Sequence, residues 1–144
     1  MRSLAALLFA FALSLSHVAQ AGDSVWSALV LATNEKPPAA VPTRLENFAP
    51  TIAKVFGYNS VYLLGHKRQD IDGGTESWLV PSREFFFQVQ CLRRGETFYE
   101  VRLNLFQEKT KLFTTEARLA RNAPLYIRGP QWGDGQLILL LEIR

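Results

Sequence analysis

Cysteine, methionine and histidine are nearly absent: one, one and two among 144 residues. With Cys91 alone no intramolecular disulfide can form, and one thiol beside two imidazoles falls short of the clustered Cys/His sets that hold zinc. Charge of one sign is also lacking. Sixteen basic residues against 13 acidic ones give a net +3, and Lys67-Arg68 and Arg93-Arg94 are the only adjacent basic pairs. So diffuse an excess makes a weak field, and nucleic acid is not an expected partner. No apolar run reaches the roughly 20 residues that a membrane-crossing helix needs. Glycines at 129, 133 and 135 follow neither the dinucleotide fingerprint nor the P-loop spacing.

What is present begins with a leader. Arg2, an apolar core from Leu4 to Leu15 and the small-x-small ending Ala19-Gln20-Ala21 read as a secretory signal peptide cut after Ala21. Residues 22–144 then make one domain, periplasmic or extracellular, which does not span a membrane once the leader is removed. His17 leaves with the leader, so His66 is the one imidazole of the mature chain. A hydrophobic content of 48% can build a core without a disulfide, and Cys91 falls in phase with Phe85, Phe87 and Val89 as a buried small hydrophobe.

The clearest pattern is Tyr99–Leu119, two alternating runs about a polar middle. Tyr99, Val101, Leu103 and Leu105 share one face; Phe113, Thr115, Ala117 and Leu119 answer them. A period of two marks half-buried strands, because successive side chains point to opposite faces. Folding about Lys109 sets Arg102 opposite Glu116, Glu100 opposite Arg118, Val101 opposite Ala117, Leu105 opposite Phe113 and Gln107 opposite Lys111. Each opposite-charge pair is worth only about 0.2–1 kcal/mol, but a one-residue slip would turn every apolar side chain to water.

Elsewhere, Val25–Ala32, Val61–Leu64 and Leu137–Ile143 are apolar on both faces and need cover on both. Glu84–Leu92 alternates, with Phe85, Phe87, Val89 and Cys91 on one side. Short strands are expected at Ser77–Pro81 and Pro124–Arg128, turns at Gln69–Thr75 around Gly73-Gly74, and a loop over Gly129–Gly135. Leu45, Phe48, Ile52, Val55 and Phe56 recur at helical spacing, with a Thr43…Glu46 capping box, Gly57 as the stop and Pro50 marking a kink or a frayed first turn, so one helix is expected over about Arg44–Phe56. The expected fold is α+β: a mostly antiparallel curved sheet or β-sandwich with one N-terminal amphipathic helix. The first strand, the helix and the next strand suit a right-handed crossover.

Chemistry-bearing constellations are few. His66 between Gly65 and Lys67 reads as a solvated or hydrogen-bonded side chain, and no serine sits in a G-x-S-x-G elbow. Asp70-x-Asp72-Gly73 lacks the remaining ligands of a calcium loop and suits a polar turn. Glu76 and Glu84 are a chance-level carboxylate pair. Trp132, between Gln131 and Gly133, reads either as an exposed platform for a sugar ring or partner chain, or as a plug folded onto the core edge. Phe86, on the polar side of its strand, reads as an exposed anchor or as a residue buried under the helix.

The "FGY" exit from the helix, "WLVP" at Trp78–Pro81 and the closing "RGP…GQLI" run resemble those of small exported bacterial β-rich proteins of uncharacterised families. That resemblance implies an envelope or periplasmic protein and brings no catalytic residue. The sequence thus leads to a non-catalytic exported domain that binds or scaffolds another envelope protein, with no cofactor and no metal. The alternative is a small-ligand or glycan-binding module using Trp132 with Arg128 and Gln131. Binding is expected at Trp132, Phe86, Arg128 and Gln131.

Overall fold

A computed structural model describes residues 22–72 and 75–144. The expected signal peptide and Gly73-Gly74 lie outside the described residues, and of the turn expected over Gln69–Thr75 the first three residues belong to a strand instead. Within them the chain forms strand β1 (Asp23–Thr33), a 3-10 turn (Thr43–Leu45), helix α1 (Ala49–Phe56) and strands β2 (Ser60–Ile71) and β3 (Glu76–Pro81). Then follow β4 (Phe85–Arg94), β5 (Phe98–Gln107), β6 (Thr110–Ala120), β7 (Leu125–Trp132) and β8 (Gly135–Ile143). All pairings are antiparallel and make two four-stranded sheets, β2-β1-β8-β7 and β3-β4-β5-β6.

Face arithmetic explains the three layers. Val25 and Leu29 of β1 and Leu137, Leu139 and Leu141 of β8 meet Trp78, Val80, Phe87, Val89, Val101, Leu103 and Leu105 of the second sheet. Cys91 is fully buried there as well. The alternate side chains Trp26, Ala28, Val30, Ile138 and Leu140 point the other way and are covered by Leu45, Phe48 and Ile52. Trp26 stacks on Phe48 with centroids 5.4 Å apart. β1 and β8 are therefore central and apolar on both faces, while the outer face of the second sheet is left to solvent.

The β5–β6 register sets Glu100 opposite Arg118, Val101 opposite Ala117, Arg102 opposite Glu116 and Leu105 opposite Phe113. Ion pairs follow at 2.6 Å for Arg102–Glu116 and 3.6 Å for Arg118–Glu100. Near the turn the expected Gln107–Lys111 pairing is replaced. A bulge next to Phe106 and positive φ at Glu108 tighten the hairpin, so Gln107 faces Thr110.

Several expectations need correction. The helix is not N-terminal: it follows β1 and starts at Ala49, with Pro50 in the first turn, where its missing N–H has no intrahelical partner to lose. Thr43 and Glu46 form no capping box; that segment is a separate 3-10 turn preceded by Pro42, with no side-chain cap. Gly57 closes α1 at φ +80°, as its position suggests. β1 and β2 are antiparallel neighbours, not a crossover. Asn34 and Asn59 clasp the two ends of the helical excursion: the Asn59 amide donates to Asn34 Oδ1 and the Glu35 amide to Asn59 Oδ1, both at 2.9 Å. Val61–Leu64 lies in edge strand β2, where Tyr62 is exposed. Most of Gly129–Gly135 is strand too. Only Gly133-Asp134 turns, while Pro130 sits in a bulge of edge strand β7, where its missing N–H costs no ladder bond.

One end of the sandwich is tied by a polar clasp. Tyr99 Oη donates to Asp23 at 2.7 Å, and Arg121 pairs with the same carboxylate at 2.6 Å. The Arg121 and Tyr99 hydrogen bonds hold the Asp23 carboxyl below its ordinary range. Burial, then Asp23, pushes the Tyr99 phenol up to about 12. A depressed carboxyl stabilises the fold above its unfolded value, and that stability is lost as pH falls through the folded one. Asp23→Asn should therefore lower the melting temperature at pH 7, with the gap from wild type closing as pH falls below about 4. A gap that persists unchanged at pH 2 would show that the carboxylate charge is not what holds this end.

Candidate functional site

The outer face of the second sheet is banded along its strands. At one end Glu100 lies between Arg93 at 2.9 Å and Arg118 at 3.6 Å, with Arg102–Glu116 beside them. In the middle, Asn104 is 3% exposed and fully engaged. Its Nδ2 donates to Gln88 and Gln90 at 3.2 and 3.3 Å, and Thr114 donates to its Oδ1 at 2.7 Å. At the other end polarity stops. Phe86 sits opposite Pro81 on one side and Phe106 on the other. Phe86 is 45% exposed and Leu79 49%, and Lys111 Nζ lies 5.6 Å from the Phe106 ring centroid. Helix α1 covers the opposite sheet, so it gives Phe86 no cover.

The strand period produces this corner. Phe85 and Phe87 point into the core at 2% and 0% exposure, which forces Phe86 outward. Leu79 is outward for the same reason, between buried Trp78 and Val80.

Trp132 lies at the end of β7 on the inter-sheet side, packed edge-on against Phe85 with centroids 4.9 Å apart and planes at 83°. With Leu31, Leu64, Ser82, Arg83, Glu84 and Phe85 it lines a recess of about 200 Å³. Arg128 is not there. It faces the helix side, with its guanidinium 5.1 Å from the Phe56 ring centroid. Gln131 is exposed, opposite Gln136 across the bulge. The bulge between Arg128 and Gln131 separates these side chains, so the structure brings Trp132 together with neither a cation from β7 nor Phe86.

His66 is in the body of β2 beside Ala28, on the helix face. Trp26 Nε1–H points at its Nδ1 and Arg44 Nε–H at its Nε2, both at 3.3 Å. Desolvation against Trp26, then the charges of Arg44 and Arg144, hold the imidazole below its ordinary value. Among the described residues no serine or carboxylate is hydrogen-bonded to it. Glu76 and Glu84 flank opposite ends of β3, with Glu76 accepting from the Asp72 amide at 3.1 Å. Among the described residues no three His, Cys, Asp or Glu side chains are grouped to hold a metal ion. The Trp26–His66–Arg44 cluster depends on the β1–β2 register, which no local sequence pattern gives.

These features define a β-sandwich with one helix-covered face and one open face that ends in an apolar corner. No family model matches the chain, and neither the curated proteins nor the solved structures give a significant match. Among the described residues no helix is long and apolar enough to cross a membrane.

Proposed function

We propose that this is an exported, non-catalytic domain that binds or scaffolds another envelope protein through the Leu79–Phe86–Phe106 corner of the open sheet. The single observation that supports it most is Phe86, a large aromatic held half-exposed beside Leu79 and Phe106 on a face whose middle and far end are hydrogen-bonded or ion-paired. Aromatic anchors of this kind are enriched among the residues that dominate protein interfaces. Lys109 and Lys111 beside the corner suit a partner whose apolar patch is edged by acidic groups. The leader-like segment at residues 1–21 and the resemblance to exported bacterial families are what support an envelope partner.

Capture from an envelope extract tests this. Phe86→Asp should leave the melting temperature within a few degrees of wild type and remove the captured partner, whereas Trp132→Ala should keep it. An unchanged set of captured proteins with Phe86→Asp would end this reading.

A second reading, a small-ligand or glycan module, draws on the Trp132 recess. Apolar cavities of about 150 Å³ hold a benzene-sized guest, and this one is of similar scale. Trp132 is edge-packed on Phe85 there and lacks Arg128, while Ser82, Arg83 and Glu84 make the rest of the lining polar, so a small group with an apolar body and a polar edge suits it better than a sugar ring. Loss of a captured component with Trp132→Ala alone would favour this second reading.

A further inference from the structure

The helix-covered sheet carries a patch with more hydrogen-bond donors than acceptors. Both nitrogens of the His66 ring face a donor, Trp26 Nε1–H on one side and Arg44 Nε–H on the other, each at 3.3 Å. A neutral imidazole has one N–H and one acceptor nitrogen, so it satisfies only one of them. Arg144 adds a third donor group, its guanidinium stacked 4.4 Å from the Trp26 ring centroid. Its Nε is bonded to Glu142 at 2.7 Å, which engages one of its five N–H donors. Arg68 follows on the same face, opposite Trp26 in the β1–β2 ladder, and its Nε donates to Ser24. Among the described residues neither Arg44 nor Arg68 has a carboxylate within 4.0 Å.

We propose that Arg44, His66, Trp26 and Arg144 form a binding site for a single oxyanion, the phosphate or sulfate type of group. An oxyanion seated between Arg44 and His66 accepts from both and relieves the donor-to-donor opposition that the ring now meets. Charge-assisted bonds of this kind are about twice as strong as neutral ones, and guanidinium forks match the oxyanion geometry. Trp26, 3% exposed and pinned between Phe48 and Arg144, gives the site a rigid floor.

The groups that face His66 set the sign of the pH dependence. They are Arg44 from the 3-10 turn, Trp26 from β1 and Arg144 from β8, with Arg68 two residues on along β2 and Glu142 bonded to Arg144. The Arg44 and Arg144 charges disfavour the imidazolium while the site holds no anion. A bound oxyanion favours it, so binding takes up a proton and tightens as pH falls, at the cost of the Trp26 Nε1–H bond to Nδ1, which only the neutral ring accepts. The site is on the opposite sheet from Phe86 and stands whether or not the corner binds a protein.

Sulfate is the probe, because its charge stays constant from pH 5 to 8. Titrated at constant ionic strength with NMR detection of the His66 ring and the Trp26 indole N–H, it should give saturable shifts and raise the His66 titration midpoint. Arg44→Gln/Arg144→Gln should weaken binding at least tenfold. His66→Gln, which keeps an acceptor for Trp26 but takes up no proton, should bind with no pH dependence. The same chemistry is offered by a free anion and by an anionic lipid headgroup, and co-sedimentation with phosphatidylglycerol vesicles separates them. Vesicle binding lost in the double variant assigns the headgroup; saturable sulfate binding without vesicle binding assigns the free anion. Shifts that rise linearly without saturation, or that persist unchanged in the double variant, together with no variant-sensitive vesicle binding, would overturn the proposal.

Discussion

Gly65→Ala is expected to destabilise the domain by about 3 kcal/mol or more, at the upper end of overpacking penalties. Leu64 is the extra residue of a bulge in β2, since Leu29 pairs with Gly65 and Val30 with Leu63. The bulge swings β2 across the end of β3. A Cβ added at Gly65 would overlap the Pro81 carbonyl oxygen and lie 2.8 Å from the carbonyl carbon and 3.3 Å from Ser82 Cβ. These are mostly backbone atoms, so no rotamer change makes room. The only relief is to part β2 from β3, one of the two edges where the sheets are joined in sequence. For a domain of this size the loss corresponds to a melting temperature lower by roughly 10 °C. Thermal or urea unfolding of Gly65→Ala would check it, and a change under about 0.5 kcal/mol, the ordinary scatter of surface substitutions, would mean the strands do not approach in this way.

Phe87→Ala should cost about 3–5 kcal/mol, the range for deleting a buried aromatic ring. Phe87 is fully buried, opposite Val80 in β3 and Leu105 in β5, in the middle of the inter-sheet core. Its loss removes contacts with both neighbouring strands and with the facing sheet, and Leu and Val neighbours anchored in ladders cannot close the gap. Phe86→Ala, one residue away, should cost only about 1 kcal/mol, because its ring is half-exposed beside Pro81 and Phe106. The two substitutions remove the same atoms, so their difference isolates the register of β4. Denaturant unfolding of both would read it, and equal costs would mean that the strand does not present alternate faces to core and solvent.

These two positions also show how much could be read before any coordinates. The alternation of Phe85, Phe87, Val89 and Cys91 named the buried side of β4, and charge complementarity fixed Arg102–Glu116 and Glu100–Arg118. Both signals are local and repeat along a strand, so several residues vote for one answer. What failed depended on single residues or on distant ones. The Thr43…Glu46 spacing suggested a cap, but Pro42 preset a 3-10 turn and the α-helix began later. The Asn34–Asn59 clasp that makes β1 and β2 neighbours joins residues far apart in the chain, and no periodicity announces it. Glycines at 129 and 135 suggested a loop, whereas each allows a close backbone approach within the sheet: a Cβ at Gly135 would lie 2.7 Å from the Ala32 carbonyl oxygen.

Of the candidate site, Phe86 and Trp132 were visible as aromatics out of place in polar or glycine-rich settings. The grouping of Trp132 with Arg128 and Gln131 assumed a loop in which neighbours in sequence share a surface. In a bulged strand they do not, and Arg128 turns to Phe56 instead. The Leu79–Phe86–Phe106 corner needed the pairing of three strands, which local pattern does not give.

The proposed role in binding a protein partner is tested most directly by site-specific photo-crosslinking in the envelope. A photoreactive residue at position 86 is compared with one at position 55, where Val55 is 60% exposed on the helix of the opposite layer. The account predicts a discrete crosslinked species from position 86 and none from position 55. Crosslinking from position 55 alone, or from neither position while the protein is folded and exported, would contradict it.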